Sequence, residues 1–183
     1  MNFYPENFMK IQVIRYLMLV LALSIAAIIF LFSAENGEKS GSLSDNLAEK
    51  ILQLWEGSHQ SISDENHQQA VVSVGSIFRK LAHFIEYFAL GAAFCGFFST
   101  FSLNMFQCGL FSAGISILYA ASDELHQFFV PGRNASFWDV LLDSAGAICG
   151  VLAVLGVVWL IRRRHGVAAD KEMDEENPLS LSE

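Results

Sequence analysis

The sequence predicts an all-α polytopic membrane protein: a bundle of four transmembrane helices with an extracytoplasmic loop bearing an amphipathic helix. Three observations predict it. Hydrophobic residues make up 53% of the 183 and charged residues only 16%, where soluble domains carry about a quarter charged. Several stretches are apolar over the roughly 20 residues that a helix, rising about 1.5 Å per residue, needs to cross a core about 30 Å thick. No Asp, Glu, Lys or Arg occurs between Tyr87 and Ser122.

The first span covers about residues 11–33 and is uncharged from Tyr16 onward. A cleaved signal peptide competes with a retained anchor. The anchor is favoured because Phe32 occupies the −3 place before Ala34, where a small residue is wanted. The uncharged run 87–122 is too long for one straight helix in a bilayer. The polar patch Ser99, Thr100, Ser102, Asn104 and Gln107 divides it into span two, about 81–101, and span three, about 105–129. Pro131 and Gly132 predict a turn. Span four covers about 137–161 and stops at Arg162, Arg163 and Arg164. The membrane domain thus occupies residues 1–164, and the acidic segment 165–183 reads as a disordered, solvating tail.

Small residues recur at four-residue spacing (Ala92 and Gly96; Gly109 and Ala113; Ser112, Ser116 and Ala120; Gly146 and Gly150), which lets helix backbones approach closely in lipid. Cys95, Cys108 and Cys149 lie in apolar stretches and read as small buried residues. The outer loop, 34–78, contains Leu43, Leu47, Ile51, Leu54 and Trp55 at helical spacing. They predict a helix lying on the outer membrane face, with a partner-binding helix as the competing reading. Lys10 and Arg15 before span one and the Arg triplet after span four place both termini in the cytoplasm. The net charge of −8 argues against a nucleic-acid partner.

On this topology the polar residues gather at one depth. His83, Glu86 and Tyr87 share a face at the start of span two. Asp123, His126 and Gln127 share one at the end of span three, with Glu124 about 100° away. Asp139 and Asp143 lie one turn apart at the start of span four, and Arg133 is in the turn. A wet polar cap is the bland explanation, and the helix dipole accounts for Asp139. It does not account for Asp143, a turn deeper, or for Asp123 and Glu124 near a helix C-terminus.

The runs "KLAHFIEYFALG" and "SDELHQFFVPGRNASFWDVLLDSAGAICG" resemble the VanZ-like family of small integral membrane proteins. The resemblance covers about residues 15–162 and rests on Lys80, His83, Phe84, Tyr87, Gly91, Ser122, Asp123, Glu124, His126, Gln127, Phe129, Pro131, Gly132, Arg133, Asp139, Asp143, Gly146 and Gly150. Asp143 stands where such proteins often carry Asn. The resemblance implies a multi-pass protein of the bacterial envelope, linked through the founding member to resistance against the glycopeptide teicoplanin.

Three functions compete. One is a membrane-embedded enzyme acting at the outer leaflet on a lipid headgroup or lipid-linked wall precursor. There His83 or His126 is the general acid or base, Asp123 or Glu86 orients the imidazole, Glu124 and Asp139 complete the acidic group, and Lys80, Tyr87, Gln127, Arg133 and Asp143 bind. No cofactor motif is present; a divalent metal on His83, Glu86, Asp123 and His126 is a variant of this reading. The second is a non-catalytic protein binding a lipid, precursor or antibiotic. The third, a transporter, is disfavoured because no ionisable residue lies deep in the spans.

Overall fold

The computed structural model describes residues 6–35, 37–56, 64–133 and 135–176, and these form five helices and no strand: α1 (Glu6–Ser33), α2 (Gly37–Glu56), α3 (Asp64–Phe98), α4 (Met105–Gln127) and α5 (Phe137–Glu176). Four of them, α1, α3, α4 and α5, are long and apolar enough to cross a membrane. Their outward faces carry Leu17, Leu31, Phe106, Leu118, Leu152 and Trp159, all about half exposed or more. Such surface is stable only against lipid.

The predicted break between spans two and three is built by a cap. Asn104 Oδ1 accepts from the Gln107 backbone N–H at 2.8 Å, and the Gln107 side chain accepts from the Asn104 N–H at 3.1 Å. This reciprocal box satisfies two donors that the first turn of α4 would leave bare. On the same side of the bundle Arg15 of α1 donates to the Thr100 carbonyl at 2.9 Å and lies 3.9 Å from the Phe101 ring centre. At the other end, α4 stops at Gln127 and the chain turns through Pro131 and Gly132. Gly132, at φ 75°, is the one described residue with positive φ; only glycine adopts that conformation without strain.

α3 and α5 run parallel and close. A Cβ on Gly146 would meet the Phe84 carbonyl, one on Gly150 the Phe88 carbonyl, and one on Gly91 the Ala147 carbonyl. The core between the spans is made of Ala22, Ile29, Tyr87, Leu90, Ala93, Phe94, Ala120 and Ala147, so a small residue on each of the four spans brings the backbones together. Ser112 and Ser116 complete the inner face of α4, each donating to the carbonyl one turn back.

The structure departs from the sequence reading in three places. The outer loop is mostly helix. α3 begins at Asp64 and, at 35 residues, is about 52 Å long; its first half pairs antiparallel with α2, Gly75 against Asp45 and His67 against Glu49. Residues 57–63 lie outside the described residues. The amphipathic helix expected in the outer loop is present as α2, with Ser44 and Ala48 buried and the stripe Leu43, Leu47, Ile51, Leu54 and Trp55 turned outward. α5 continues to Glu176, so the first part of the segment read as a disordered tail is helical, Pro178 being the first breaker; 177–183 lie outside the described residues. Cys149 is exposed, not buried; Cys95 and Cys108 are buried with sulfurs 3.9 Å apart.

Candidate functional site

The site lies where α1 and α4 end, α5 begins and α3 passes its midpoint. Helix periodicity places each group. On α3, His83 and Tyr87 are 40° apart around the axis at about 100° per residue, and both turn inward. Asp123 and Gln127 stand in the same relation on α4. Asp139 and Asp143 do so on α5.

Asp123, 4% exposed, is the best-held of these groups. Its Oδ2 accepts from Ser33 Oγ at 2.8 Å and from Gln127 Nε2 at 3.0 Å. Gln127 in turn accepts from Arg133 Nη1 at 3.2 Å. Asp143 is 1% exposed, and its Oδ2 lies 3.8 Å from His83 Nδ1. Three buried oxygens face inward without a hydrogen-bond partner among the described residues: Asp123 Oδ1, Asp143 Oδ1 and the Tyr87 hydroxyl. Tyr87 sits within electrostatic reach of both carboxylates. Lys80 stands 4.0 Å from Asp139 at the rim.

Two cavities open from this cluster. A polar one of about 210 Å³ is lined by Arg79, Lys80, His83, Glu124, Gln127, Arg133, Asp139 and Asp143 together with Gly37 and Ser76. An amphipathic one of about 220 Å³ is lined both by the apolar Phe32, Leu43, Leu47 and Phe78 and by the polar Glu35, Glu86, Arg133 and His83. Arg79, His83 and Arg133 belong to both and form their common wall.

Several expected site residues play other parts. His126 lines neither cavity; its ring stacks on Phe30 of α1 with centres 4.7 Å apart. The reason is angular. Taking Asp123 as zero, Gln127 lies at +40°, Glu124 at +100° and His126 at −60°. The cleft takes the positive side and α1 the negative. Glu124, expected to diverge from Asp123, is also buried: it accepts from the Ser136 backbone N–H at 2.5 Å, at the start of α5, where the helix dipole favours a carboxylate. Glu86 is absent from the polar cavity and lines only the amphipathic one.

Among the described residues Arg133 ion-pairs with no carboxylate. It donates to the carbonyls of Phe32 at 2.6 Å and Glu35 at 3.2 Å, capping the exposed end of α1. Three of its five donors are thus used on protein, leaving two that can face the cavities. Burial draws its pKa down from the ordinary value, against the opposing pull of Asp123.

Sequence reasoning missed Ser33, which reads as a simple boundary residue at the end of a span. It also misses Arg79, although Arg79 falls one helical turn before His83 and hence on the same face.

The cluster's level relative to a membrane is marked by aromatic side chains. Phe128, Phe129, Phe137 and Trp138 surround it, each about two-thirds exposed or more, as residues at a bilayer–water boundary are. The Arg triplet closes the far end of the apolar, span-length part of α5, with Arg163 over Trp159.

Comparison with curated proteins and with solved structures returns no match. The family model described as VanZ/LLP1 matches residues 18–161, a stretch that takes in most of the four spans, the Asp123–Gln127 group, Asp139 and Asp143. The chain belongs to the VanZ/LLP1 family, as a multi-pass membrane protein.

Proposed function

We propose that this protein holds the anionic headgroup of a membrane amphiphile, a lipid or a lipid-linked wall precursor, in the polar cavity, with the hydrocarbon chain in the amphipathic groove, and that His83 moves a proton there. The observation that carries this reading is the shared wall. A charged cavity and a half-apolar groove meet at Arg79, His83 and Arg133, which is the division an amphiphile presents at its headgroup–chain junction. Arginine donors suit a phosphate. His83 is the one imidazole in either lining, and an imidazole exchanges protons near neutral pH.

The site faces the outer leaflet in this reading. Lys10 and the Arg triplet stand at the end of the bundle opposite the cluster, and basic flanks remain in the cytoplasm. The exposed stripe of α2 then lies in the interface beside the groove, with Leu43 and Leu47 contributing to both.

A phospholipid carrying a photoreactive group on its acyl chain tests this. Labelling at Leu43, Leu47 and Phe78 is expected. Labelling spread evenly over Leu118, Leu152 and Trp159 overturns it. Binding without chemistry is the second reading, favoured by a lining whose only hydroxyls are Ser44 and Ser76. The two separate in cells: under the first, His83→Gln at normal abundance abolishes any effect on teicoplanin susceptibility while acyl-chain labelling persists; under the second, both persist.

A further inference from the structure

We propose that His83, Asp123 and Asp143 form a binding site for one divalent transition-metal ion of the Zn²⁺ or Mn²⁺ class. The inference deepens the headgroup part of that reading, since a cation there would meet an anionic group entering the polar cavity, and with the ion bound it replaces proton transfer by His83, whose ligating nitrogen can no longer exchange a proton. It stands, however, on side-chain geometry of its own.

One ligand atom from each of the three residues lies within 4.8 Å of the other two. Metal–ligand bonds of about 2.1 Å set such atoms about 3–4.2 Å apart, so the widest pair needs to close by about 1 Å. Side-chain rotation supplies that. The three ligands come from α3, α4 and α5, whose relative positions are held by the glycine contacts of α3 with α5.

The second observation is independent of the spacing. Asp123 and Asp143 are 4% and 1% exposed, and each presents a buried oxygen that accepts no hydrogen bond among the described residues, the Tyr87 hydroxyl lying near Asp123 without making one. Buried carboxylates need a compensating charge or donor. The nearby cations do not provide it. Among the described residues Arg133 donates to Phe32, Glu35 and Gln127 but to neither carboxylate, acting on Asp123 only from a distance, and Lys80 pairs with Asp139, at 4.0 Å.

Asp123 is moreover oriented as ligating carboxylates are. Ser33 and Gln127 fix Oδ2, Arg133 fixes Gln127, and Oδ1 is left without a hydrogen bond among the described residues. Outer hydrogen bonds of this kind set a ligand's direction. His83 and Asp143 also line the polar cavity, so an ion on three protein ligands keeps open positions toward it, the usual arrangement of a working site rather than a structural one. One imidazole with two carboxylates suits Zn²⁺ or Mn²⁺ better than the all-oxygen shells of Ca²⁺ and Mg²⁺.

The test uses the full chain in detergent, stripped with a chelator and titrated calorimetrically with ZnCl₂ and with MnCl₂. One ion per chain is expected. Asp123→Asn and Asp143→Asn should each weaken binding by about 100-fold or more, beyond the usual loss for an outer-shell change, while His126→Gln should leave it within about 3-fold. If the Asn variants fail to fold, pulsed EPR on bound Mn²⁺ in protein carrying ¹⁵N-histidine decides, because a coordinated His83 nitrogen must couple to the ion. No saturable binding, unchanged affinity in both Asn variants, or no nitrogen coupling overturns the site; the first is also the result if a proton, passed from Tyr87 or solvent, neutralises the pair. Metal binding without acyl-chain labelling leaves this site standing and removes the amphiphile. Labelling without metal binding does the reverse.

Discussion

Gly146→Ala probes the contact on which the site depends. Gly146 is buried one turn below Asp143, and a Cβ there would lie 2.5 Å from the Phe84 carbonyl oxygen, where ordinary contact begins at 3.4 Å. Phe84 follows His83 in the chain. Relieving the overlap therefore parts α3 from α5 by about 0.9 Å, enough to forfeit a quarter to a half of the dispersion energy of the contacts it opens. Overpacking of this kind costs about 1–3 kcal/mol. For a chain of this length that is roughly 2–12 °C in melting temperature. The same movement widens the 3.8 Å separation of His83 and Asp143, so metal affinity should fall together with stability. Gly156→Ala is the control, since a Cβ there meets nothing within 4 Å. Thermal unfolding of the detergent-purified proteins, followed by tryptophan fluorescence, reads the difference. If Gly146→Ala melts with Gly156→Ala and wild type, α3 and α5 do not pack as described.

Other substitutions separate the roles of individual residues. Ser33→Ala removes a donor from Asp123 and should destabilise by about 1–3 kcal/mol, measured by the same melting assay. Arg133→Lys keeps the charge but cannot serve Phe32, Glu35 and Gln127 at once; thermal stability should fall by about 1–2 kcal/mol, and wild-type stability would remove the capping role. Gly132→Ala should cost about 1–2 kcal/mol in the same assay, because alanine disfavours the left-handed conformation at that turn. His126→Gln, a damaging change if His126 were the general acid or base, should retain acyl-chain labelling, whereas loss of that labelling would place His126 in the cleft after all.

The parts of the fold that announce themselves in sequence are those fixed by short-range chemistry. Asn104 and Gln107 mark the break between α3 and α4 because a capping box is local. Pro131 and Gly132 mark their turn for the same reason. Gly146 and Gly150 are legible through spacing, although which helix they meet is not. The start of α3 is hidden because Asn66, Gln68 and Gln69 look like loop by polarity, while glutamine is in fact a good helix former. The site is legible to the accuracy of a helical face. An i, i+3, i+4 set spans about 100°, wider than the cleft, so periodicity joined His126 to Asp123 and could not say that α1 would claim that side. Asp143 was placed in the cluster by depth alone; its approach to His83 depends on the α3–α5 contact, a long-range fact. Ser33 carries no local signal at all.

The most direct measurement is an experimental structure of the protein in nanodiscs prepared with lipid extracted from its own membrane. The account predicts amphiphile density with its headgroup between Arg79, His83 and Arg133 and its chain along Leu43, Leu47 and Phe78. A cleft closed by direct contact of those side chains, with ordered lipid only on the outer faces of the spans, would contradict it.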